Sequence, residues 1–141
     1  MSTEKGVIVA VYKKPSRENR FLVLNRKKNW EGWELPKGHL ENNDYTETVK
    51  IELEEEAGIR EDDIKSIEEM DMELEWNPDE KEKRNYRAFL VEVDKDVIAD
   101  VSGNPDEEHE KGFFLSKEDC KGLLTYEEHE EVLEKASEKI S

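Results

Sequence analysis

Residues 38–59 read Gly38-His-Leu-Glu-Asn-Asn-Asp-Tyr-Thr-Glu-Thr-Val-Lys-Ile-Glu-Leu-Glu-Glu-Glu-Ala-Gly-Ile59. Val49, Leu53 and Ala57 recur at i, i+4 and i+8, and Gly58 stands where a helix C-cap belongs, so the spacing predicts one helix from Asp44 to Ala57 with a narrow apolar stripe. Glu52, Glu55 and Glu56 fall at i, i+3 and i+4 and share one face of that helix. Like charges at these spacings destabilise a helix by roughly 0.2–0.5 kcal/mol per pair, which calls for a compensating cation. Clustered carboxylate oxygens suit Mg²⁺ or Mn²⁺. The plain alternative is a solvated acidic face, since glutamate supplies 28 of the 141 residues. Pro36, Lys37 and Gly38 weigh against it, because a tight, small-residue loop ahead of an acidic helix can hold a polyphosphate.

Upstream, residues 6–12 and 20–25 are aliphatic runs separated by a proline-containing polar cluster, the pattern of a hairpin of two mostly buried strands. Between hairpin and helix, residues 29–39 pack two tryptophans, a proline and two glycines into eleven positions, too much shape-specific chemistry for a linker. Downstream, strand-like stretches at 66–76 and 84–94 flank a charged turn, and a third covers Gly112 to Leu115. Val132, Leu133, Ala136 and Ile140 repeat at helical spacing behind the acidic turn 127–131, which predicts a terminal helix from Tyr126 to Ile140. Strands in runs with two helices imply an α+β or layered α/β fold, in a single domain spanning 1–141.

Composition narrows the partners. The formal charge is −16, from 38 acidic and 22 basic residues, so nonspecific binding to nucleic acid or to an anionic membrane surface is not expected. No apolar run approaches the roughly 20 residues of a membrane helix, and Met1-Ser-Thr-Glu-Lys5 lacks a basic-then-apolar signal; the expectation is a cytoplasmic protein. Cys120 is the only cysteine, which excludes an internal disulfide and a cysteine-based zinc cluster and leaves an inert or partly buried thiol.

The segment Gly38 to Ile59 resembles the Nudix box: glycine, five residues, glutamate, seven residues, then Arg-Glu-aliphatic-x-Glu-Glu-x-Gly-aliphatic. Residues 51–59 match its second half at eight of nine positions, unconstrained ones included. Ile51 stands in place of the arginine, and the span is one residue short, so the early glutamate has Asp44 as its nearest acid. A narrower resemblance, to the diadenosine tetraphosphate hydrolase branch, rests on 33–39, on Glu108-His109 and on 123–129.

That resemblance implies an α/β/α sandwich around a mixed β-sheet and a Mg²⁺-dependent (Mn²⁺ also suitable) pyrophosphohydrolase of dinucleoside polyphosphates or another nucleotide, with the catalytically weak nucleotide sensor as the alternative that Ile51 suggests. It assigns Glu52, Glu55 and Glu56, with the Gly38 carbonyl, as metal ligands. The base is Glu52 or Glu108, with Glu107 a competing assignment. Lys37 and His39 are expected on phosphate, and Lys81, Lys83 and Arg84 are either a cation group that draws polyphosphate or a solvated turn paired with Glu80 and Glu82. Tyr86 and Tyr126 either stack a base or pack in the core. Trp33 is expected to be structural, and His109 and His129 to be surface groups or groups behind the ligands. The implied partner is a small nucleotide, on a monomer or homodimer.

Overall fold

The computed structural model describes residues 2–27, 31–103 and 109–140. The first aliphatic run is the centre of strand β1, Ser2–Lys13, and turns back into β2, Arg20–Arg26, with Tyr12 opposite Phe21. The tryptophan-rich segment forms two three-residue strands, β3 (Gly32–Glu34) and β4 (Lys37–His39). Helix α1 (Tyr45–Ala57) follows, then β5 (Ile64–Trp76), β6 (Glu82–Val93), β7 (His109–Leu115), α2 (Lys117–Leu123) and α3 (Glu127–Ile140), with single 3-10 turns at Glu61–Asp63 and Val101–Gly103.

Among the described residues seven strands make one mixed sheet in the order β3-β2-β1-β6-β5, with β4 on β1 and β7 on β2. The only parallel pairing among them is β1 with β6, in register from Ser2↔Glu82 to Tyr12↔Glu92. On its other edge β1 meets β2 at residues 12–13 and β4 at residues 6–8, so the short β4 lies beside the N-terminal half of β1.

Alternation along β1 divides the core. Val7, Val9 and Val11 face α1 and bury Val49, Leu53 and Ala57 with Ile59 and Phe89. Ile8, Ala10 and Tyr12 face the opposite layer, where Leu133, Val132 and Ala136 of α3 pack with Cys120, Leu35 and Met70. The result is the expected α/β/α sandwich around a mixed sheet.

Both expected helices form where the spacing places them. Asp44 caps α1 by accepting from the Glu47 N–H, and Gly58 ends it in the left-handed region at φ 66°. The turn before α1 carries Asn42 and Asn43 at φ 54° and 55°, closed by Asp44 N–H donating to the Glu41 carbonyl. Two consecutive positive φ values are what a type I′ turn requires, and asparagine tolerates them better than most residues.

Three differences from the sequence reading have physical causes. Residues 2–5 are polar yet belong to β1, because β6 supplies a parallel partner for each of them. α2 has no readable period, since Cys120 is its only buried residue; its start is set by the Ser116 cap on Asp119 N–H. Cys120 is fully rather than partly buried, with Sγ 3.5 Å from the Phe21 carbonyl and its pKa pushed up to about 12 by burial. No helix among the described residues is long and apolar enough to cross a membrane.

Candidate active site

The site is organised by β4. As an edge strand it pairs with β1 through Val7↔Gly38 and leaves its other edge to the side chains of α1. The outward N–H of Lys37 donates to Glu56 Oε2 at 3.2 Å, which fixes a 6 % exposed carboxylate against the strand. Gly38 makes room for the second: a Cβ there would lie 2.1 Å from Cδ of Glu52. No other residue lets the Glu52 carboxylate sit on the strand. The stack continues through the sheet, since a Cβ on Gly6 would lie 2.3 Å from the Gly38 oxygen and 2.6 Å from the Tyr86 ring.

That contact also shows which way the Gly38 carbonyl points. It turns toward β1, whereas the Lys37 carbonyl lies on the same outward edge as the Lys37 N–H, by the alternation of an antiparallel ladder. The backbone oxygen beside the helix carboxylates is therefore that of Lys37 rather than of Gly38. Glu55 is exposed on α1 beside Glu56. Among the described residues no three His, Cys, Asp or Glu side chains close on one point in ion-binding geometry. The donor set is nonetheless all oxygen, carboxylate and carbonyl, and suits a hard divalent cation.

The opposite face of β4 carries different chemistry. Lys37 Nζ lies 3.6 Å from Glu34 Oε1 and 5.8 Å from the centre of the Trp76 ring. A cleft of about 330 Å³ opens there, lined by Lys37, Leu74, Trp76, Pro78, Tyr126, Glu128 and His129. Tyr126 is 40 % exposed, with its ring 5.4 Å from His129. His129 Nδ1 accepts from the Leu35 N–H at 3.2 Å, so the proton of the neutral ring resides on Nε2. Burial, with the Lys37 charge adding to it against Glu34, pushes the His129 pKa down to about 4.

Beneath the cleft lies Glu34, 1 % exposed. His109 Nε2 is 2.6 Å from its Oε2 and Arg26 is 3.3 Å away. Burial alone would raise the Glu34 pKa, but the His109 hydrogen bond and the Lys37 and Arg26 charges hold it below the usual carboxylate range. Its Oε1 is buried with no hydrogen bond, the Lys37 ammonium being at ion-pair distance only.

Tyr86 is not a surface platform for a base. It is 3 % exposed, its ring packed edge-on to Trp76 at 4.9 Å and lying over Gly6. Its hydroxyl is 3.4 Å from His39 Nδ1, and burial together with Glu4, Glu52 and Glu56, against Arg84, raises its pKa to about 12. Trp76, which the sequence reading passed over, lines the cleft together with Tyr126. Its only sequence signal was an aromatic at a strand end beside a turn.

The Lys81–Arg84 group is held by carboxylates: Lys83 by Glu75 at 3.0 Å, and Arg84 by Glu4 at 3.3 Å and Glu82 at 3.8 Å. Lys81 is exposed in the turn. His39 pairs with Glu4. His109 and His129 are 4 % and 5 % exposed, which settles them as buried groups rather than surface ones. Trp33 is half-buried against Phe113 and the core, as expected of a structural residue. Glu107 and Glu108 lie outside the described residues.

The model of the NUDIX domain matches residues 3–136. The chain belongs to the Nudix family. Three solved Nudix-fold structures resemble it. One is a C. elegans Ap4A hydrolase in a binary complex, 22 % identical with a TM-score of 0.81 over 97 % of each chain. Another is the NUDIX domain of Shewanella oneidensis NrtR complexed with ADP ribose, 14 % identical, TM-score 0.78, over 97 % of this chain and 88 % of that one. The third is the E. coli dihydroneopterin triphosphate pyrophosphohydrolase, 14 % identical, TM-score 0.75, over 92 % of both chains. No curated protein matches this Nudix chain. At such identities the likenesses speak for the fold.

Proposed function

We propose that this Nudix chain is a divalent-metal-dependent pyrophosphohydrolase of nucleoside diphosphate-linked substrates, with dinucleoside polyphosphates, such as diadenosine tetraphosphate going to ATP and AMP, as the preferred class. The observation that carries the reading is Lys37: its N–H holds Glu56 on one side of β4 while its side chain lines the aromatic cleft on the other. One residue thus joins an acidic centre to a site of a size and composition that suit a nucleobase. The fold likeness to an Ap4A hydrolase supports the same class.

In this reading Trp76 and Tyr126 flank the base, and the neutral His129 ring lends a donor at the cleft wall. Lys37, His39 and Arg84 meet the phosphates. Glu52, Glu55 and Glu56, with the Lys37 carbonyl, hold Mg²⁺ or Mn²⁺; Gly38 is needed for the space it gives Glu52. When bound, the cation neutralises phosphate oxygens and lowers the pKa of the attacking water. Glu52 or Glu108 accepts that water's proton.

Chromatography of products from diadenosine tetraphosphate, a nucleoside triphosphate and a nucleotide sugar, with Mg²⁺, Mn²⁺ or chelator, tests this. Glu56→Gln should lower metal-dependent turnover by about 10² or more. ATP plus AMP from the first substrate supports the asymmetric hydrolase; faster turnover of another substrate replaces the substrate class and keeps the chemistry. A second reading, a nucleotide sensor, is favoured by Ile51, which leaves the helix without the arginine of the Nudix box. Nucleotide binding without turnover under any metal would establish it.

A further inference from the structure

Glu4 is a further carboxylate beside this site, and it comes from β1 rather than from α1. The parallel register sets Glu4 directly beside Arg84, and two residues on, Gly6 is opposite His39 across the β1–β4 ladder. Residues i and i+2 of a strand share a face, so Glu4, His39 and Arg84 project together on the Lys37 side of the sheet. Glu4 Oε1 pairs with His39 Nδ1 and Oε2 lies 3.3 Å from Arg84 Nε. One carboxylate therefore takes both basic side chains through its two oxygens, as two oxygens of a phosphate would. The fit to arginine is incomplete: Nε is buried without an aligned hydrogen bond, although its charge is paired. Side chains of Glu4, Arg84 and His39 are 33 %, 29 % and 59 % exposed, open enough for an anion to exchange with Glu4.

We propose that Glu4 is a built-in competitor for the phosphate-binding groups, occupying His39 and Arg84 until a polyphosphate displaces it and thereby setting how tightly the site holds one. The proposal rests on the reading above that these two side chains meet phosphate. A pair this exposed is weak, and a multiply charged polyphosphate outcompetes a single carboxylate for it. The contact therefore lowers affinity without blocking the site.

Calorimetric titration with inorganic tripolyphosphate in low salt tests the idea without any need for turnover. Glu4→Gln should bind about fivefold tighter than the unsubstituted chain, and the gain should vanish in 0.5 M salt and in Glu4→Gln/Arg84→Gln, both figures following from screened Coulomb attraction at about 4 Å. Unchanged, weaker or absent binding in Glu4→Gln overturns the proposal. Should that variant fold poorly, the unsubstituted protein answers by carbon NMR: the Glu4 carboxyl resonance must move as tripolyphosphate is added, and a stationary one counts against displacement. A protein that gains affinity in Glu4→Gln but hydrolyses nothing keeps this proposal and loses the hydrolase reading. Turnover with no gain does the reverse.

Discussion

Buried Glu34, beside the cleft-lining Lys37, and partly exposed Glu4, in the same row as the cleft-lining Trp76, form a floor and a rim that use the same device, a carboxylate holding several basic groups, in opposite environments. Glu34 on the floor is 1 % exposed and faces Arg26, Lys37 and His109; Glu4 on the rim is one-third exposed and faces Arg84 and His39. Water decides what each does. On the floor a partner cannot be replaced by solvent, so the network is part of the fold. On the rim it can be, so the pairs are exchangeable and available to a ligand.

Breaking the floor should have the largest effect. Glu34→Ala leaves the Arg26 guanidinium and His109 without their buried acceptor and should cost about 3–5 kcal/mol, read as a loss of unfolding free energy in urea. A variant as stable as the parent would show that water reaches the floor.

Next comes acid. His129 is neutral in the folded state with its pKa lowered to about 4, while the unfolded side chain titrates near 6.5. The unfolded state therefore takes up the proton first as pH falls, and stability present above pH 6.5 is lost between about 6.5 and 4, on the order of 3 kcal/mol in all. His129→Asn, which keeps an acceptor for the Leu35 N–H, should flatten that part of the stability profile measured across this range.

Gly6 links the two regions, because its missing side chain lets Tyr86 and the β4 backbone meet. Gly6→Ala places a methyl 2.3 Å from the Gly38 oxygen, a backbone atom that moves only with β4. A loss of about 1–3 kcal/mol is expected, together with weakened divalent-cation binding by calorimetry, since Gly38 supports Glu52. The smallest effect belongs to the rim. Glu4→Gln should change thermal stability by no more than about 0–1 kcal/mol, and any difference should shrink in added salt; a large loss in calorimetric melting would make Glu4 a strut of the fold.

Much of this molecule is visible in its residue order. Val49, Leu53 and Ala57 with Gly58 fix α1 because a helix on a sheet must bury one stripe and stop at a left-handed cap, and Glu52, Glu55 and Glu56 then share a face by geometry alone. The hairpin and the terminal helix follow from equally local patterns. α2 escaped because one buried cysteine makes no period.

What the order of residues does not contain is the distance between segments far apart in the chain. Trp76 and Tyr126 share the cleft because α3 packs on β5, and Tyr86 is turned inward over Gly6 because β6 and β1 are neighbours in the sheet. Glu4 reaches Arg84 because β1 and β6 run parallel in one particular register, 80 residues apart. Composition and periodicity determined the elements and the acidic face; the sheet, by choosing which strands lie side by side, determined which cations each carboxylate holds and whether water can take their place.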